Sequence, residues 1–195
     1  MSQASLNDRI EELRNGVWQA DPTAYLVEAR VMRRFLRKQS RHPSLAVILP
    51  HRESQVANLE DVCSIILPDE LGLKHPPTAA GEVILLQLPN VDQMEHWPLE
   101  ELKLLLWRRL FHASIDRQLK YVHVPEQLAW VQSRIDALGQ VEFDEAHHVL
   151  RNELRLLYPD SRVEAFREWV AHYWEFHAFD PERIATWFPS MHQID

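Results

Sequence analysis

Arg109, His112 and Asp116 are spaced at i, i+3 and i+7 within Leu99 to Lys120, a stretch of helix-forming sequence. At that spacing the three side chains share one strip of a helix and reach one another across consecutive turns. A histidine and an aspartate one turn apart can both ligate a metal. His147 and His177 are expected on the inward stripes of their own helices, so His112, Asp116, His147 and His177 form a candidate divalent-metal site of a hydrolase-like protein. The simpler expectation is that Asp116 accepts a hydrogen bond from His112 while His147 and His177 are core histidines, because buried polar groups generally pair. None of the 11 histidines falls in an H-E-x-x-H pattern.

Two further groupings are weaker. Glu145 and His148, with Glu168, His172 and Glu175, have the i, i+3 spacing of di-iron bundles. Their positions lie opposite the apolar stripes of their helices, where solvated ion pairs are expected. Cys63 could form a nucleophilic pair with a histidine such as His51, but it sits among Val62, Ile65 and Ile66 and reads as inert core.

Scarcity excludes more than these patterns include. Only 4 of 195 residues are glycine, and no two share a short loop, so phosphate-cradling and dinucleotide-binding turns are excluded. The nucleophile elbow G-x-S-x-G is absent. A single cysteine excludes an internal disulfide and cysteine-pair zinc sites, and fits a reducing, cytoplasmic setting. No apolar run approaches the ~18 residues of a membrane span, and the N-terminus lacks the basic flank and apolar stretch of a signal peptide.

The net charge of −8 disfavours nucleic acid and anionic membranes as general partners. Its distribution is uneven. Arg30, Arg33, Arg34, Arg37, Lys38 and Arg41 follow one another with no acid between, giving that segment +6 and the remainder −14. Such a ridge is a solvated helix face or a docking surface for an acidic partner.

The elements that must position these groups are mostly helical. Leu102, Leu106, Leu110 and Ala113 form one apolar stripe of the 99–120 helix, and Leu104, Trp107, Phe111, Ser114 and Ile115 a second, so a buried central helix is expected. A short helix over Ser5 to Asn15 should stop at Gly16, and Asp21-Pro22 should open a helix to about Ser40. Seven prolines between residues 43 and 98 interrupt short aliphatic runs at Leu45 to Leu49 and Val83 to Leu88. Val62 to Leu67 reads as a strand, but Ser54 to Ile66 also fits a helix with Val56, Leu59, Val62 and Ile66 on one side, and Pro68 to Ala80 reads as a loop. After the central helix, Pro125 to Gly139, Glu142 to Leu157, a helix capped by Ser161 and Glu164, and a last one opened by Asp180-Pro181 complete the pattern. The inner stripe of the Ser161-capped helix is expected at Val163, Phe166, Val170, Tyr173 and His177.

The expected fold is a mainly α, single-domain bundle around the central helix, with a small two- or three-stranded element between residues 43 and 90. Residues 43–97 form a proline-rich insertion and 98–190 a C-terminal bundle. The short polar tail after Trp187 and Phe188 is also what one domain of a longer protein would show. Without a catalytic signature, the expected role is a non-enzymatic regulatory or adaptor module that docks another protein. Docking would use the basic helix or a C-terminal aromatic surface including Trp187 and Phe188, because arginine and aromatic side chains are common interface anchors. A metal-dependent hydrolase and a nucleic-acid-associated protein rank second and third.

Overall fold

The computed structural model describes residues 3–40, 51–73, 81–120 and 126–191, with side chains from residue 5 onward. Arg41, the strand expected at Leu45 to Leu49, the Pro76-Pro77 pair and Pro125 lie outside the described residues. The fold is mainly helical with a small three-stranded mixed sheet. It divides into two compact units. A sheet unit holds the described residues up to 40 and from Glu53 to Ala113; a helical unit holds His51, Arg52 and the described residues from Ser114 onward.

In the sheet unit, α1 (Gln3–Ala20), β1 (Ala24–Val27), α2 (Ala29–Gln39), β2 (Ser54–Asn58), α3 (Leu59–Ile65), β3 (Glu82–Gln87) and α4 (Val91–His96) precede α5 (Leu99–Lys120). Residues 114–120 of α5 belong to the helical unit. The strand order is β1-β3-β2, with β1 parallel and β2 antiparallel to β3. Ala24, Leu26, Val56, Ile84 and Leu86 join Leu13 and Val17 of α1 and the Leu102, Leu106, Leu110 and Ala113 stripe of α5 in one core. The alternate residues Val27, Val83 and Leu85 are buried as well, and α2 packs on β3 while α3 packs on β2. Helices on both faces explain why β3 is apolar without alternation.

Several expectations for this unit need correction. Helix α1 passes through Gly16 to Ala20, because burying Leu13 and Val17 outweighs the ~1 kcal/mol that a helical glycine costs. Asp21 caps no helix. Its carboxylate accepts from the Thr23 backbone N–H (2.9 Å) and hydroxyl (2.6 Å), a turn that feeds β1. One strand therefore lies before residue 43, and α2 starts only at Ala29. Neither reading of the Ser54 to Leu67 region holds as expected. Ser54–Asn58, the start of the expected helix, is a strand, and Val62 to Ile65, in the expected strand, lies in a helix that begins only at Leu59, where Asn58 accepts from the Glu60 N–H at 3.0 Å. The second apolar stripe of α5 is only partly covered: Leu104 is 52% and Trp107 45% exposed, while Phe111, Ser114 and Ile115 are half-buried. Cys63 is exposed rather than core.

In the helical unit, α6 (Gln127–Leu138), α7 (Gln140–Asn152), α8 (Arg162–Phe179) and α9 (Glu182–Trp187) follow α5 through short connections. Val131, Ile135, Phe143, Ala146, Leu150, Phe166, Phe176, Ile184 and Phe188 share its core. Helix α7 stops at Asn152 rather than Leu157, and Leu154 takes a left-handed backbone (φ 52°), so that Leu156 turns inward instead. The His51 N–H donates to the Leu154 carbonyl (2.7 Å), and Arg155 donates to the His51 carbonyl (2.8 Å).

Helix α8 is turned from its expected orientation by roughly a third of a turn. Its buried residues are Ala165, Phe166, Glu168, Ala171, His172 and Phe176, while His177 is exposed and Tyr173 half-buried. Apolar and aromatic residues ring this helix, so periodicity alone does not select the inner face.

Candidate functional site

Helix α2 buries Val31, Met32, Phe35 and Leu36, which leaves its arginines on the opposite face. Arg30, Arg33, Arg34 and Arg37 fall within an arc of roughly 100°, with Lys38 at its edge. Two are neutralised. Arg30 pairs with Glu28 at 2.7 Å and Arg34 with Glu70 at 2.5 Å. The hydrogen bond that Arg34 donates to Glu70 raises the Arg34 pKa, and the same bond, with the Leu67 N–H, holds the Glu70 carboxyl below its usual value. Arg33, Arg37 and Lys38 are exposed and have no carboxylate partner among the described residues. The basic face is thus partly compensated at one side and open along Arg33, Arg37 and Lys38.

A cleft of about 940 Å³ lies at the start of this face, within the sheet unit. Leu88, Asn90 and Val91 after β3, Glu28 and Arg30 after β1, and Leu6, Ile10 and Arg14 of α1 enclose it. It therefore sits beyond the carboxyl ends of two parallel strands, where open α/β sheets place ligand crevices. Leu6, Ile10, Leu88 and Met94 supply an apolar floor; at its margin Arg14 pairs with Glu11 (2.8 Å) and Arg30 with Glu28 (2.7 Å). No α2 carboxylate caps the helix here, since Glu28 makes no cap bond and turns to Arg30. Asn90 and Gln93 form a reciprocal capping box that starts α4.

The interior charges serve a different purpose. In the sheet unit Arg109 is 6% exposed; it donates to the Gln87 carbonyl at 2.5 Å and to Glu53 at 2.7 Å, joining α5 to the ends of β2 and β3. In the helical unit Arg52 is buried against Glu164 (2.5 Å) and Glu168 (3.1 Å) and donates to the Arg155 carbonyl (3.0 Å). Burial alone would lower its pKa, but Glu168, Glu164 and Asp116 outweigh it and the net shift is upward. Asp116 itself is held by Arg167. Glu164 also accepts the Leu157 and Tyr158 N–H groups at 2.6 and 2.8 Å, so it does not close the expected capping box back onto Ser161, whose hydroxyl accepts from the Glu164 N–H at 3.2 Å.

The proposed chemical strip is thereby divided. Arg109 is used by Glu53 and Gln87, Asp116 by Arg167, and His112 is buried. His147 is half-buried and donates from Nε2 to the Pro159 carbonyl at 2.7 Å, while exposed His177 stacks on Tyr173 at 6.4 Å. Asp116, His147 and His177 thus go to three separate partners. Conversely, Glu168 and His172, expected in solvent, are buried, with His172 Nε2 3.5 Å from Glu168 and its ring 5.5 Å from Phe176. Phe188, expected at a docking surface, is 1% exposed and belongs to the core, and Trp187 is half-buried against Phe176 and beneath Arg155. Burial removes Phe188 from the expected aromatic surface, while Trp187 stays half-buried and Trp174 exposed. Sequence reasoning missed the cleft, although the apolar Leu6 and Ile10 that line it, and Asn90 with its capping partner Gln93 beside it, were present to be read.

Among the described residues, no helix is long and apolar enough to cross a membrane. No family model, curated protein or solved structure matches the chain.

Proposed function

We propose that the chain is a non-enzymatic binding module, regulatory or adaptor in role, which docks an acidic segment of another protein on the outer face of α2. The observation that carries this reading is the exposure of Arg33, Arg37 and Lys38 without carboxylate partners among the described residues, on a molecule of net charge −8. On an acidic protein, local cations are normally neutralised by the abundant carboxylates, as Arg30 and Arg34 are. An uncompensated row keeps a local positive potential and favours encounter with a negatively charged segment. The remaining negative charge repels extended polyanions such as duplex DNA and anionic bilayers, which supports a short acidic protein segment as the partner. A reducing cytoplasmic location fits the single cysteine.

The test measures binding of a fluorescent all-glutamate peptide to the full chain and to an Arg33→Glu, Arg37→Glu, Lys38→Glu variant. Binding should weaken with added salt, and the variant should lose about tenfold or more in affinity with an unchanged circular dichroism spectrum. Equal affinity for both proteins overturns the reading. Tighter binding of duplex DNA or anionic vesicles than of the peptide at matched salt also overturns it.

A further inference from the structure

The basic face of α2 and the cleft of the sheet unit meet at one residue. Arg30 lines the cleft and is also the first member of the arc that continues through Arg33 and Arg37. Resting on the docking role of that face, we propose that the cleft receives apolar side chains of the same partner segment, so that the partner is a short peptide stretch with an apolar end and an acidic end.

Volume, charge and reach support this pairing. At about 940 Å³ the cleft lies within the ~300–1,000 Å³ typical of ligand sites, and it has room for more than one aliphatic side chain above Leu6, Ile10, Leu88 and Met94. Its margin is neutral overall, because Glu11 matches Arg14 and Glu28 matches Arg30. With each guanidinium matched by a carboxylate, the margin offers no net positive charge to hold a phosphate or an acidic side chain at the floor. An apolar, uncharged group needs no such charge and removes the floor from water. Charge changes character along α2: at Arg30 it is balanced, and at Arg33, Arg37 and Lys38 it is uncompensated. From Arg30 to Arg37 the helix rises about 10 Å, a span that about three extended peptide residues cover. Apolar residues in the cleft and glutamates or aspartates a few positions away would therefore meet complementary surfaces together.

The experiment compares two peptides on the full chain by fluorescence anisotropy, one with a leucine pair adjoining a run of glutamates, synthesised in both orders, the other all-glutamate and of equal length. One order of the leucine peptide should bind about tenfold tighter than the all-glutamate peptide. Val91→Asn, at a 67% exposed position in the cleft margin, should reduce that advantage by several fold without changing all-glutamate binding. Ile10→Asn should do the same more strongly, and the melting temperature of each variant reports whether the fold is kept. If neither order exceeds the all-glutamate peptide while that peptide still depends on Arg33 and Arg37, the cleft inference fails and the docking role stands. An unchanged leucine advantage in the Val91→Asn variant also overturns the cleft inference. If neither peptide binds, or the arginine reversal changes nothing, both fail.

Discussion

The two units handle charge in opposite ways. The sheet unit places a row of cations on the outer face of α2 and buries one guanidinium, Arg109, at the strand ends. The helical unit draws charge inward: Arg52 lies against Glu164 and Glu168, with Asp116 held by Arg167 and His172 beside Glu168. Charges in the second arrangement are committed to holding helices and connections together. The α2 cations contribute little to that end, because exposed ion pairs are worth at most about 1 kcal/mol. The difference separates residues whose loss should unfold the protein from residues whose loss should only silence it.

The largest effect is expected at Arg52. Arg52→Met leaves buried Glu168 and partly buried Glu164 without their main counter-ion and should cost about 3–5 kcal/mol in urea unfolding. Adding Glu168→Gln to that variant should recover part of the loss, since the stranded charge goes with it. A cost below about 1 kcal/mol would erase the contrast between the units. Arg109→Met should cost less, about 2–3 kcal/mol, because its carboxylate partner Glu53 is 49% exposed and can return to water; the Gln87 carbonyl alone loses a buried donor. Gly139→Ala is expected to cost about 1–3 kcal/mol, because φ is +121° there, a backbone that a side chain strains; the Glu142 carboxylate beside the added methyl group is the end of a flexible side chain and can move aside. Reversing Arg33 and Arg37 should change the unfolding free energy by less than about 0.5 kcal/mol, the expected size for exposed sites, while removing acidic-peptide binding.

What could be read from the sequence follows the range of the interactions involved. The 99–120 helix, its Leu102 to Ala113 stripe and the Asp180-Pro181 opening of α9 depend on neighbours a few residues apart, and the structure has them. The strand β1 depends on pairing Ala24 with Ile84, and that partner overrides the helix start written locally in Asp21-Pro22. The buried face of α8 depends on Arg52, whose bond to Glu164 spans 112 positions. Read locally, Glu168 and His172 belong in water; with a guanidinium supplied from elsewhere they can be interior. The same holds for Arg109, whose partners Glu53 and Gln87 are distant in the chain. The basic face of α2 was legible because exposure follows from the Val31, Met32, Phe35 and Leu36 stripe alone. The cleft was not, since it exists only where α1, the end of β1 and the end of β3 converge.

The smallest effect sharpens the comparison most directly, because it changes the outer charge of the sheet unit without touching an arginine. Glu70 neutralises Arg34, and its pKa is lowered chiefly by the hydrogen bond from that guanidinium. A carboxylate with a depressed folded-state pKa stabilises the fold above its ordinary value of 4.5, and that contribution is lost as pH falls through the lowered value. Arg34 is 47% exposed, so solvent screening holds the gain to about 0.5 kcal/mol or less. Glu70→Gln should therefore be slightly less stable than the parent at neutral pH and indistinguishable from it in acid. Its effect on binding should have the opposite sign. With Arg34 no longer paired, the basic face gains one uncompensated charge, and the acidic peptide should bind about two- to threefold tighter at low salt, with the gain disappearing as salt screens it. Weaker binding by Glu70→Gln would mean that the carboxylate orders the face for its partner, and that charge alone does not describe how α2 is used.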